Sequence, residues 1–138
     1  MRELIEDFDR LLDAQFSADY WSDEGISAAA EIAQKFESDD WAMLTQLTNH
    51  RPVSWKARCA DALGDEISIG ARDILLVLMN DEDFDVRYSA LDSLNSLAQL
   101  GMDLSVYRED IAAVLRHYVP TGSVVKFLID SLKNRLSI

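Results

Sequence analysis

Two prolines, five glycines and one cysteine leave this 138-residue chain poor in residues that break helices, mark linkers or staple loops. With no Gly/Ser/Pro-rich stretch to suggest a boundary, the sequence predicts a single domain, residues 1–138, long enough to bury a core without disulfide or metal. Cys59 has no partner for an internal bridge, and the charged start Met1-Arg2-Glu3 is unlike a secretory leader; both imply a reducing, cytoplasmic setting. The longest apolar run, Ile74 to Met79, is far too short to span a membrane.

Chemistry-bearing patterns are scarce as well. His50 and His117 are the only histidines, and neither lies near enough in sequence to Cys59 to suggest a zinc site or a Cys/His pair. GxGxxG, GxxxxGK[ST] and GxSxG are all missing, which removes the usual phosphate cradles and the nucleophile elbow. Carboxylates are plentiful, but no pair is set apart as an acid and base with separated pKa values. The expectation is a protein with no catalytic residues, no cofactor and no metal.

Negative charge is what the chain has in excess. Twenty-five acidic against 13 basic residues give a net charge of −12. Such a balance repels nucleic acid and anionic lipid and favours encounter with basic proteins. The charge is uneven: residues 1–50 hold 12 acidic and 3 basic side chains, so the N-terminal third is the electrostatic face.

Apolar spacing reads as helix throughout. Leu4, Ile5, Phe8, Leu11 and Leu12 form one stripe of a first helix running to about Phe16, followed by a polar loop from Asp19 to Asp23. A second helix, Ile26 to Phe36, is rich in alanine. Ser38 or Asp39 is expected to cap a third, carrying Trp41, Leu44 and Leu47. Ser54 is expected to cap a helix ending at Leu63, with Gly64 left-handed beyond it. Ala71 to Met79 is next, then an acidic turn from Asp81, with Asp85 capping a helix from Val86 that Gly101 stops. Ile111, Val114, Leu115 and Tyr118 mark another helix, Pro120 to Ser123 a turn, and Val124, Phe127, Leu128 and Leu132 the last.

The most specific signal is internal. Trp55-Lys56-Ala57-Arg58-Cys59-Ala60-Asp61-Ala62-Leu63-Gly64 overlays Val86-Arg87-Tyr88-Ser89-Ala90-Leu91-Asp92-Ser93-Leu94-Asn95 at an offset of 31 residues, and a weaker copy begins at Val124. Periods of this size belong to stacked repeats. Asp81-Glu82-Asp83-Phe84-Asp85-Val86-Arg87, followed by Ala90 and Leu94, resembles the turn and second helix of HEAT and armadillo repeats. The resemblance implies an all-α fold, a short α-solenoid of about four stacked helix pairs, with the second helices lining an inner face and with Asp81 and Arg87 as structural ladder residues.

A small acidic chain of this kind resembles bacterial toxin-immunity proteins, several of which use HEAT-like folds. That implies a protein partner, a basic nuclease-type toxin domain, neutralised by occlusion of its active site. A non-inhibitory scaffold or regulatory subunit is the alternative, and a HEAT-like glycosylase or lyase a third. The candidate partner-binding residues are Asp19, Tyr20, Trp21, Asp23, Glu24, Asp39 and Asp40 in the acidic third, with Asp61, Asp65, Glu66, Tyr88 and Asp92 on or near the inner face. Of the adjacent aromatics Tyr20 and Trp21, one is expected at the surface; Trp55 is expected in the core.

Overall fold

The computed structural model describes residues 2–118 and 122–138, and within them all regular structure is helical. The elements are α1 (Arg2–Leu12), α2 (Ala18–Tyr20), a π-helical turn (Trp21–Gly25), α3 (Ile26–Ala33), α4 (Ser38–Thr48), α5 (Val53–Ala62), α6 (Ile69–Leu78), α7 (Phe84–Gln99), a 3₁₀ turn (Ser105–Tyr107), α8 (Arg108–Arg116) and α9 (Ser123–Leu136). Pro120 and Thr121, part of an expected turn, lie outside the described residues.

The helices pack in two series. α3 lies on α5, α5 on α7 and α7 on α9, while α1 lies on α4 and α4 on α6; α1 with α3, α6 with α7 and α8 with α9 tie the series together. The apolar stripes supply one core, in which Phe8, Leu12, Leu44, Trp55, Leu75, Leu91, Leu94 and Leu97 are fully buried. Each such side chain contributes about 1.5–3 kcal/mol on leaving water. No helix among the described residues is long and apolar enough to cross a membrane.

Several helix ends differ from the sequence expectation. Asp19 to Asp23 is helix, not loop: the Ser17 hydroxyl accepts from the Tyr20 amide and starts a rod that continues through the π turn into α3. α4 is capped by Glu37 rather than by Ser38 or Asp39, in a reciprocal capping box with Asp40. Pro52, not Ser54, precedes α5; Asp83, not Asp85, caps α7, accepting from the Asp85 and Val86 amides. These choices depend on which residue adopts the extended backbone of an N-cap, and several eligible side chains stood within two positions of each. Gly101 does end α7 with positive φ, and the Met102 amide donates to the Leu97 carbonyl as in a Schellman closure.

Gly64 is not left-handed. Its role is steric: a Cβ there would stand 2.7 Å from the Ser93 hydroxyl and 2.9 Å from the Ser93 Cα, so α5 and α7 meet almost backbone to backbone. On the same side Ser93 donates to the Ala60 carbonyl at 2.6 Å, a buried bond between the two helices.

Ion pairs join segments far apart in sequence. Asp9 receives two hydrogen bonds from Arg51 and one from the Trp55 indole. Asp81 pairs with Lys56 at 2.8 Å and accepts from the Asp83 amide, while Arg87 donates to the Asp81 and Glu82 carbonyls. Arg58 donates to the Leu12 and Ala14 carbonyls, satisfying acceptors that the end of α1 leaves open.

Gly64→Ala is expected to cost about 1–3 kcal/mol, because the added methyl forces two helices apart. Urea unfolding of the variant measures this, and a loss under about 0.5 kcal/mol would show that the α5–α7 contact can relax.

Candidate protein-binding surface

Trp21 ties the acidic N-terminal segment to the middle of the chain. The residue is 6% exposed, with Gly25 beneath its ring, where any Cβ would collide with the indole. The π turn closes through the Ile26 amide, which donates to the Trp21 carbonyl. The Arg58 guanidinium lies 5.3 Å from the Trp21 ring centroid and 5.5 Å from that of Phe16, and its N–H groups are given to the Leu12 and Ala14 carbonyls. Held in this way, the Trp21 indole N–H donates to Asp61 on α5 at 3.0 Å.

Asp61 belongs to a small group on the α5–α7 face. Burial raises its pKa, opposed by the Trp21 indole, the Ser89 hydroxyl and the Arg58 charge. On α7, Asp92 is exposed at the edge of the group, and its pKa is also raised, by desolvation from its neighbours and by the negative charge of Asp61. Tyr88, one helical turn before Asp92, is raised by burial and by both carboxylates. Among the described residues neither Asp61 nor Asp92 forms a salt bridge.

The remaining candidates are dispersed. Asp19 and Tyr20 on α2, Asp23 and Glu24 in the π turn, and Asp39 at the start of α4 are all exposed. Tyr20 is the exposed member of the aromatic pair, at 48%, and leans on Phe16. Asp65 and Glu66 stand exposed in the α5–α6 connection. Two residues named as contacts are turned inward instead. Trp21 is buried because its indole is committed to Asp61, and Asp40 is 0% exposed because its carboxylate accepts from the Glu37 amide in the α4 capping box. Neither presents its side chain to a docking protein. Trp55 is in the core, as expected.

Arg58, Ser89 and Gly25 position the group, yet the sequence reading did not single them out. Arg58 stood in view as the basic member of the repeat, but its contacts run to Leu12 and Ala14 and to Trp21, more than 35 residues away. No group of three or more His, Cys, Asp or Glu side chains among the described residues could hold a metal ion.

The shifted carboxyls set a pH dependence. Asp61 and Asp92 titrate higher in the fold than in the unfolded chain, so their ionised forms burden the fold at neutral pH, and the burden is relieved as pH falls through their raised pKa values. Asp9 is lowered by its hydrogen bond from Arg51. Asp81 is lowered because Lys56, the Asp83 amide and Arg87 together outweigh its burial. These two stabilise the fold above the ordinary carboxyl range, and that contribution is lost as pH falls below it. Stability is therefore expected to rise as pH falls from 7 toward the carboxyl range and to drop once pH falls below that range. In Asp61→Asn/Asp92→Asn the rise should vanish while the acid drop stays; urea midpoints across pH decide, and an unchanged rise would place its origin elsewhere. No protein-family model matches the chain, and no curated protein or solved structure shows a significant match.

Proposed function

We propose that this chain is a protein-binding helical-repeat module of four stacked, HEAT-like helix pairs, α1 with α3, α4 with α5, α6 with α7 and α8 with α9. The serial packing of α3, α5, α7 and α9 supports the reading, as does the Asp81 connection, where Lys56 of one pair meets the turn of the next. Asp61 and Asp92, 31 residues apart, occupy equivalent positions on neighbouring second helices, as stacked repeats would have it.

The partner is a basic protein, in our reading a nuclease-type toxin domain neutralised by occlusion. The observation that carries this is the Asp61–Asp92–Tyr88 group, in which, among the described residues, neither carboxylate is in a salt bridge. A fold gains nothing from holding two carboxylates beside each other, whereas an incoming arginine or lysine relieves their repulsion and forms charge-assisted hydrogen bonds. In such a complex the carboxylates take the places that substrate phosphates would occupy, and Tyr20 offers an exposed aromatic contact nearby in sequence to the Trp21–Asp61 link.

Affinity isolation from the native host is expected to recover a basic protein whose nuclease activity falls when this chain is added. Against that partner, Asp61→Asn/Asp92→Asn should weaken binding by at least about tenfold, or ~1.4 kcal/mol, and flatten its salt dependence. Unaltered affinity and salt slope would sink the electrostatic mode, and a bound partner that keeps full activity would identify a scaffold instead.

A further inference from the structure

Between the end of α3, the start of α4 and the α5–α6 connection lies a cleft of about 190 Å³. Ala30, Ala33, Ala62 and Ala71 line it, with methyl groups too small to fill the space between the helices. Phe36 and Trp41 form a wall, their rings edge to face with centroids 5.0 Å apart. Gly70 packs so tightly on Trp41 that a Cβ there would overlap the indole, which braces the wall. The hollow is thus formed in advance rather than opened by a ligand.

Its rim is acidic. Asp65 and Glu66 are exposed and in no ion pair among the described residues, and Ile67 beside them is 47% exposed. Among the described residues, no lysine, arginine or histidine lines the cleft. Cofactor and small-molecule sites run to about 300–1,000 Å³, so a hollow of this size suits a single side chain. An apolar shaft laid along alanine and aromatic surface, ending in a cation among carboxylates, is the form of lysine and arginine.

We propose that this cleft seats one lysine or arginine side chain of the protein partner, as an anchor separate from the Asp61–Asp92 group. The inference rests on the reading of the chain as a module for a basic protein, but it can be tested without that protein. The probes are N-acetyl-argininamide and N-acetyl-lysinamide, titrated at low salt into the full-length ¹⁵N-labelled chain, with N-acetyl-norleucinamide as the uncharged control of similar shaft.

Saturable shifts are expected at the Ala30, Ala33 and Leu63 amides and the Trp41 indole, with a dissociation constant on the order of 1–10 mM. Norleucinamide should bind at least about tenfold more weakly, and Asp65→Asn/Glu66→Gln should weaken the cationic probes similarly. Ala33→Leu, which fills the hollow, should abolish the shifts; if it does not fold, the exposed rim pair carries the test alone. Equal binding of norleucinamide, shifts scattered over all carboxylates, or no saturable shift at these positions would each overturn the proposal. A null titration leaves the α5–α7 carboxylates able to hold a basic partner. A clean titration with no basic partner recovered from the host would keep the pocket and remove the inhibitor reading.

Discussion

Helices α5 and α7 approach until the backbone at Gly64 touches Ser93, and the Ser93 hydroxyl closes the gap on the Ala60 carbonyl. Neither contact tolerates a larger group without moving a helix, since the interior is packed to crystal-like density. This proximity makes Asp61 and Asp92 neighbours and lets Ser89 and Tyr88 face the Asp61 carboxylate. A wider spacing would leave two ordinary solvated aspartates. The electrostatic character of the surface is therefore a consequence of steric fit between a glycine backbone and a serine.

Around that contact, the charged residues divide into two kinds. Asp9, Asp81, Arg51, Lys56 and Arg58 are all matched, to one another or to open carbonyls, and stitch segments that are far apart in sequence. Among the described residues, Asp61 and Asp92 are not matched by a salt bridge. Arginine and lysine are few in this chain, and those nearest the α5–α7 face are already engaged: Arg58 with aromatic rings and α1, Lys56 with Asp81. An acidic composition alone would not produce this; it takes the commitment of the nearby cations to structural work.

Much of the helical layout was legible because the apolar spacing is regular and the chain offers few alternatives. The repeat at an offset of 31 aligned Trp55 with Val86, Cys59 with Ala90 and Asp61 with Asp92; each of the first four is buried and the two aspartates share a face. Caps were harder to read, since Glu37, Ser38, Asp39 and Asp40 can all accept an amide and only the backbone decides among them. Asp19–Asp23 reads as loop because clustered acidic and aromatic residues mimic one, whereas burial of Trp21 against Arg58 and Asp61 supplies a tertiary reason for helix that no local pattern contains. Gly64 was misjudged for a related reason: a glycine after a helix commonly adopts positive φ, and its alternative use, close approach, depends on a partner 29 residues away. Arg58 escaped notice as a positioning residue because its partners lie on α1 and in the Trp21 turn.

Cys59 sits at the centre of this arrangement, fully enclosed, with burial and the nearby Asp61 charge holding the thiol firmly in its protonated form. A thiol so placed is neither nucleophilic nor reachable while α5 is seated between α3 and α7. It becomes reactive only when those helices part, so the rate at which an alkylating reagent consumes this one sulfur counts the openings of the very layer that carries the acidic face.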